Sequence, residues 1–299
     1  MQSAFALPTV DRARLVQWAP ILIGLLVLYV PTIVGLARGI WQSDDQAHGP
    51  IILLVSLYFL WQQRAAIFTA PAEKNETTRP LLGWPLLVFG LLIYALGRSQ
   101  EILIFEIGSQ IPVLFGVLLI TGGMAVARKA WFPILFLVFM VPLPGFLVDA
   151  VTGSLKQHVS ILAESILYTV GYPIGRSGVT LTIGPYQLLV ADACSGLHSM
   201  FSLSALGLLY IYLMQHPSWL RNGILLAAIL PIAFIANVVR VMVLVLVTYH
   251  FGDEAGQGFV HGAAGIVLFM VALLLLFGLD NVLGLFLKSG PGGKQDVPV

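Results

Sequence analysis

Long apolar blocks alternate with short polar ones along the chain. A helix needs about 20 apolar residues to cross the hydrocarbon core of a bilayer. Eight windows approach or exceed that length, and they predict transmembrane helices at about 19–37, 47–63, 81–97, 102–127, 130–148, 194–214, 222–250 and 262–283. Each is predicted to be helical, because an isolated strand leaves its backbone groups unsatisfied in lipid.

The segment 149–192, between spans five and six, departs from this pattern. Residues 152–170 mix polar side chains with leucine and isoleucine at helical spacing, which predicts an amphipathic helix at the membrane interface. After about residue 171, the apolar side chains recur at every second position instead. Residues 179–183 and 186–190 flank Gly184-Pro185, which predicts a β-hairpin.

The lysines and arginines favour one orientation, because basic residues concentrate in cytoplasmic loops. With both termini inside, ten basic residues are cytoplasmic: Arg12, Arg14, Arg64, Lys74, Arg79, Arg128, Lys129, Arg221, Lys288 and Lys294. Four are outside: Arg38, Arg98, Lys156 and Arg176. The insertion 149–192 is therefore expected to be extracytoplasmic, and 284–299 is expected to be a flexible cytoplasmic tail.

Composition supports this fold class and excludes others. Of 299 residues, 58% are hydrophobic and 10% are charged, and the mean hydropathy is +0.93. The chain is therefore predicted to be an all-α polytopic membrane protein, with 1–299 as a single membrane domain. A net charge of +1 gives no basic surface for nucleic acid. One cysteine allows no internal disulfide, no zinc-type spacing such as H-E-x-x-H is present, and no metal or cofactor is expected.

Three side chains that can carry chemistry are predicted at a similar depth, near the outer face. Arg240 is about 18 residues into a span that begins near Asn222, which places it roughly 27 Å from the inner face. Cys194 lies where the hairpin gives way to span six, and His261 opens the last span. Ionisable groups at membrane depth are costly and are functional candidates by default.

These residue types suit nucleophilic catalysis. A cysteine thiolate can attack a carbonyl, a histidine can move protons to and from the reacting groups, and an arginine can stabilise an oxyanion. Each also has a structural interpretation. A lone cysteine often packs in a core, a histidine often begins a helix, and Arg240 can snorkel or bond to Asn237. A transporter site fits the spacing too.

Other polar residues are weaker candidates. His198 follows Cys194 by four residues, shares its helix face and is a rival base. Asp192 can orient a cation or cap the span that begins at Cys194. Glu106, near Ser109, is expected to be a buried hydrogen-bonding group. The sequence shows no evident partner for three histidines, which are His158, His216 and His250.

The cysteine, arginine and histidine motifs carry a family resemblance. The run Ala191-Asp192-Ala193-Cys194-Ser195-Gly196 resembles the A-C-S-G signature of the exosortase and archaeosortase family. Asn237-Val238-Val239-Arg240 is similar to that family's N-x-x-R, and His261-Gly262 falls where its downstream histidine is expected. The similarity spans about 40–275 and includes His48-Gly49-Pro50, Trp61-Gln62-Gln63-Arg64 and Pro142-Leu143-Pro144. A common version has Glu in place of Asp192, which leaves the subtype open, with an exosortase B type among the candidates.

The resemblance implies a sortase-like cysteine protease or transpeptidase in the inner membrane of Gram-negative bacteria, with its site facing the periplasm. Its substrates would be exported proteins that carry a Pro-Glu-Pro motif, a transmembrane helix and a basic tail. Cleavage would pass through a thioester, in systems that accompany exopolysaccharide production. Cys194 would be the nucleophile, Arg240 the oxyanion stabiliser and His261 the acid/base, with Asp192, Ser195, Gly196 and Asn237 in support.

Two other classes stay open on sequence alone. A transporter with Arg240 in its pathway would need charged or broken-helix features near the midplane of the bilayer. A non-catalytic component of an exopolysaccharide export system would contact membrane lipids and other proteins but would have no need of a reactive, outward-facing cysteine.

Overall fold

The computed structural model describes residues 12–43, 46–64, 67, 80–142, 145–189, 197–257 and 259–287. The chain divides into two compact units, Met1–Pro144 and Gly145–Val299. Each unit is described by itself below.

The described part of the first unit consists of helices joined by short turns. Its helices are α1 (Arg12–Arg38), α2 (Gly49–Gln62), α3 (Pro80–Ser99), α4 (Leu103–Gly108), α5 (Gln110–Lys129) and α6 (Trp131–Phe136). Short 3-10 turns follow α1 and α6, at Ile40–Gln42 and Leu137–Met140. Pro50 lies in the first turn of α2, where its missing N–H removes no helical hydrogen bond.

Glycines let α3 and α5 pack closely. A Cβ added at Gly90 of α3 would lie 2.9 Å from the backbone nitrogen of Val113, and one at Gly116 of α5 would lie 2.7 Å from that of Leu87. Only glycine fits at such separations. Small residues of this kind allow the close helix contacts that stabilise membrane proteins.

A buried carboxylate joins three helices of this unit, as expected for Glu106. The Thr32 hydroxyl donates to its Oε1 over 2.5 Å, and the Arg98 guanidinium lies 3.1 Å from the same oxygen. One turn later, the Ser109 hydroxyl donates to the Glu106 carbonyl and contacts the Tyr29 hydroxyl. Glu106 is therefore a hydrogen-bonding group that links α1, α3 and α4.

The second unit combines helices with a small sheet. It contains α7 (Gly145–Thr169), β1 (Ile174–Ser177), β2 (Thr180–Ile183), β3 (Tyr186–Leu189), α8 (Leu197–Met214), α9 (Trp219–Phe251), α10 (Asp253–Gln257) and α11 (Phe259–Phe286). The sheet is antiparallel with strand order β1-β2-β3. Helix α11 continues to Phe286, so the tail predicted from 284 begins later than expected.

The predicted hairpin is confirmed, and it gains a strand. Ile183 pairs with Tyr186 across Gly184-Pro185, and Gly184 has φ +55 at the first position of the two-residue turn. Ser177 pairs with Thr180 across a second two-residue turn, in which Gly178 has φ +64. A positive φ at this position favours glycine. The Gly178 turn was the signal for β1 that the sequence interpretation missed.

The all-α polytopic class is confirmed. Five described helical segments are long and apolar enough to cross a membrane: Trp18–Gln42, Leu82–Ser99, Leu103–Lys129, Trp219–Phe251 and Gly265–Phe286. Two shorter apolar helices, at Gly49–Gln62 and Met200–Met214, fall within predicted spans. The predicted span 130–148 extends too far, because the apolar helix there ends at Met140, Val141 before Pro142 is extended, and α7 begins at Gly145. The count of eight spans, the inside location of both termini and the single domain stay predictions.

Candidate active site

Arg240 lies on the buried face of α9. Buried positions recur every three or four residues along this helix, and Ala236, Arg240 and Leu244 are among them. Arg240 is 5% exposed and Asn237 is fully buried, and each has an interaction partner. A snorkelling arginine keeps its charged head exposed. The burial of Arg240 therefore disfavours that interpretation, and an inward-facing ionisable group is typical of a functional position.

Three helices meet beside this position. Leu203 of α8, Ala233 and Ala236 of α9, and Leu268 and Ala272 of α11 form one buried cluster. These are the helices on which the sequence places His198, Arg240 and His261. The small alanines on two of the three surfaces allow the helices to approach closely.

A charged cluster joins the same helices at one end. The Asp280 carboxylate of α11 is 2% exposed. It accepts hydrogen bonds from Arg221 Nε over 2.7 Å and from the Tyr210 hydroxyl over 2.8 Å, and it lies 2.9 Å from His216 Nε2. Arg221 also donates to the Asp280 carbonyl over 2.9 Å. Because these residues come from α8, α9, α11 and the α8–α9 loop, the cluster fixes how the helices align.

The alignment shows that α9 runs antiparallel to α8 and α11. Arg221, near the start of α9, bonds to Asp280 near the end of α11, whereas Ala236, farther along α9, shares a buried cluster with Leu268, nearer the start of α11. Gly207 of α8 lies against Ile229, between these two levels, and a Cβ there would be 2.7 Å from Ile229 Cγ1. Going from the Asp280 cluster toward the alanine-rich cluster, the residue numbers rise along α9 and fall along α8 and α11.

The candidate residues lie beyond the alanine-rich cluster, at the end opposite Asp280. Arg240 is four residues past Ala236, His261 is seven before Leu268, and His198 is five before Leu203. At 1.5 Å per residue these offsets are about 6, 10 and 8 Å along the helices. The structure thus brings three of the candidate positions to one end of the helix trio. The side chains of His198 and His261 lie outside the described part of the chain.

The insertion packs on the same stretch of α9. Val159, Ala163 and Leu167 of α7 and Leu181 and Ile183 of β2 form a buried cluster with Val238, Val241 and Val245 of α9. These valines lie on the side of α9 next to the face that carries Ala236, Arg240 and Leu244. Helix α9 has 33 residues and is about 50 Å long, whereas a hydrocarbon core is about 30 Å thick. Around Val238–Val245, this face of α9 is therefore covered by α7 and the sheet.

Four predicted site residues lie outside the described residues, namely Asp192, Cys194, Ser195 and Gly196. Among the described residues, no group of three or more His, Cys, Asp or Glu side chains is arranged to hold a metal ion.

The sequence interpretation was wrong about three histidines, which do have partners. His216 contacts Asp280, His250 Nε2 lies 3.3 Å from the Tyr172 hydroxyl, and His158 Nδ1 lies 2.7 Å from the Ser154 carbonyl. The Asp280 cluster could have been anticipated, because a lone carboxylate inside an apolar span requires a partner. His216 lies in the α8–α9 loop, and Arg221 follows in the first turn of α9.

The length and the apolar surfaces of the helices define a multi-pass membrane protein. A polar cluster around Asp280 is buried between α8, α9 and α11. Within that class, the sequence profile described as the transmembrane exosortase family matches residues 40–278. The chain therefore belongs to the transmembrane exosortase family. No curated protein and no solved structure matched the chain.

Proposed function

We propose that this exosortase-family protein is a cysteine transpeptidase or protease of the bacterial inner membrane. Its substrates are exported proteins with a C-terminal Pro-Glu-Pro motif, a transmembrane helix and a basic tail, and its site faces the periplasm. Cys194 is the nucleophile, Arg240 stabilises the oxyanion and His261 is the general acid/base. The burial of Arg240, in a helix that packs against those of the two histidines, is the observation that carries this proposal.

The reaction has two halves. The Cys194 thiolate attacks the scissile carbonyl carbon, and the charge that develops on the carbonyl oxygen is stabilised by Arg240. The C–N bond then breaks, the leaving amine takes a proton from the His261 imidazolium, and a thioester remains. An acceptor nucleophile, water or an amine, attacks the thioester and gives its proton to His261. The C–S bond breaks and the thiolate is restored.

Asn237 and the insertion have positioning roles in this scheme. Asn237 is fully buried, three residues before Arg240, and therefore lies on the adjoining turn of α9. Helix α7 and the sheet cover the neighbouring face of α9, where they exclude lipid and limit access of water. Limited access of water favours transfer of the acyl group over its hydrolysis.

The nucleophile is tested by co-expression with a candidate sorting-signal protein. Cys194 is the only cysteine, so no other thiol can replace it. Cys194→Ala is expected to abolish processing while the protein still inserts, and Cys194→Ser is expected to be nearly inactive, because a hydroxyl ionises far less readily than a thiol. Intact-mass analysis of the substrate reads the result. Processing by Cys194→Ala at the wild-type rate would refute the proposal.

The oxyanion role of Arg240 is tested by a conservative change. Loss of one donor from such a site costs about 2.7–4 kcal/mol, or a 10²–10³-fold loss in rate. Lysine keeps the charge but not the planar fork, so Arg240→Lys is expected to stay strongly impaired. Arg176→Lys is the control, because Arg176 pairs with Glu164 on the insertion surface. Equal activities of the two variants would contradict the role of Arg240.

The general base is tested by comparing histidines. His261→Ala is expected to remove the pH dependence of thiol alkylation near neutrality, because the imidazole titrates in that range. His198→Ala tests the rival base, and His158→Ala is a control on the exposed face of α7. An inactive His198→Ala with an active His261→Ala would transfer the role to His198. Labelling of Cys194 by a membrane-impermeant reagent separates the enzyme from a scaffold.

A further inference from the structure

The first unit contains a large apolar cavity that the proposed chemistry does not use. Its volume is about 430 Å³, and it is lined by parts of α1, α2, α5 and α6. Cavities that bind small molecules typically measure about 300–1,000 Å³. Most of its lining is aliphatic, with residues such as Leu25, Leu53 and Leu114. The cavity is therefore large enough for a ligand and has little affinity for water.

The cavity opens toward the bilayer. Leu26, Val30, Leu57 and Trp61 line it and are between 43% and 59% exposed. The molecules that surround an apolar transmembrane surface are lipids, so an acyl chain can enter the cavity from the side. Filling the cavity with a chain restores the dispersion contacts that an empty space lacks.

A basic side chain, that of Arg64, lies at one end of the cavity. The Arg64 guanidinium lies 4.1 Å from the ring centroid of Trp61, and its Nη1 donates to the Trp61 carbonyl over 3.0 Å. These contacts hold the side chain in place. Among the described residues, Arg64 has no carboxylate within ion-pair distance. Trp18 and Ile67 line the cavity as well, near the start of α1 and after the end of α2.

These features point to an amphiphile with an anionic head. A fixed guanidinium binds phosphate through paired hydrogen bonds. Tryptophan side chains favour the level of the lipid headgroups, where Trp18 and Trp61 would then lie. On the predicted orientation this end of the cavity faces the cytoplasm, where the leaflet is rich in anionic lipid. The transmembrane helix of the proposed substrate is a poorer fit, because its basic tail would lie beside the Arg64 guanidinium and the two positive charges would repel.

We propose that this cavity binds one anionic phospholipid of the inner leaflet, with an acyl chain between α1, α2 and α5 and the phosphate on Arg64. The site is independent of the proposed catalytic residues, all of which belong to the second unit. It would tie the edges of α1 and α2 together and make the stability of the first unit depend on lipid composition.

The test titrates lipid onto the purified full-length protein and counts bound molecules by native mass spectrometry. Phosphatidylglycerol is compared with phosphatidylcholine of the same chain length. Wild-type protein is expected to bind one phosphatidylglycerol about fivefold more tightly, since one basic residue near the surface contributes about 1 kcal/mol. Arg64→Gln is expected to remove this preference, whereas Arg128→Gln, an exposed basic residue outside the cavity, is expected to keep it.

A second pair of variants tests the cavity itself. Val30→Trp fills it and is expected to weaken the binding of both lipids, whereas Val88→Trp, at a similarly exposed site on α3, is expected to have no effect. Equal affinities of wild-type protein for the two lipids would overturn the proposal, as would equal losses in Arg64→Gln and Arg128→Gln. Circular dichroism checks that Val30→Trp is folded. If it is not, the test of the proposal is whether Arg64→Gln loses the preference for phosphatidylglycerol. Loss of substrate processing in Val30→Trp, with lipid affinity unchanged, would assign the cavity to a protein helix instead.

Discussion

Replacing Asp280 by asparagine tests the polar cluster that aligns α8, α9 and α11. The side chain keeps its size and loses its charge. The carboxylate accepts hydrogen bonds from Arg221 Nε and the Tyr210 hydroxyl, and His216 Nε2 lies within bonding distance. If the asparagine NH2 group takes the place of Oδ2, it presents a donor where the Tyr210 hydroxyl and His216 Nε2 now converge. Arg221 would also lose its counter-charge.

The expected effect follows from burial. Removal of one partner from a buried ion pair costs about 3–5 kcal/mol. Asp280 is buried, but the Arg221 side chain is 21% exposed and can extend toward water. We therefore expect the lower end, about 3 kcal/mol, which is more than a hundredfold change in the unfolding equilibrium.

The measurement is reversible unfolding in mixed detergent micelles, followed by circular dichroism. Glu164→Gln is the matched control, because Glu164 and Arg176 form a 2.9 Å pair whose side chains are 29% and 25% exposed. Such a pair contributes about 0–1 kcal/mol. If Asp280→Asn destabilised the protein no more than Glu164→Gln does, the reasoning from burial would be refuted. A further Arg221→Gln change is expected to recover part of the loss, because it removes the uncompensated charge.

Three further predictions concern the core, the helix contacts and the topology. Leu181→Ala is expected to destabilise the second unit by about 2–5 kcal/mol in the same unfolding assay, because Leu181 is fully buried between α7 and α9; no change would contradict that packing. Gly207→Ala is expected to destabilise by about 1–3 kcal/mol, because its Cβ would lie 2.7 Å from Ile229. In an Ile229→Ala background, which is itself destabilised because Ile229 is buried, the added cost of Gly207→Ala is expected to shrink if that contact is the cause. Reporter fusions at Lys74 and Arg176 are expected to report opposite sides of the membrane, and a shared side would refute the predicted orientation.

The sequence by itself determined the membrane class, the positions of most of the apolar helices and the β2–β3 hairpin, but not the end of the fifth predicted span at Met140. These features follow from local causes. A helix in lipid must satisfy its own backbone hydrogen bonds over a fixed thickness, so the length of an apolar run is enough to locate it. A two-residue turn with glycine at a positive φ likewise depends on neighbouring residues only, as at Gly184. The buried role of Glu106 was predictable for a related reason, since a carboxylate in an apolar span must find partners.

Only the tertiary structure decided which faces of those helices meet. The helices are apolar all round, so their sequences do not mark a buried side, and the side is chosen by glycines, alanines and sparse polar groups on other helices. The depth of Arg240 could be counted along α9, but its burial depends on α9 packing against α8 and α11. The union of Tyr210, Arg221 and Asp280 joins residues up to 70 positions apart, and no local pattern encodes such a contact.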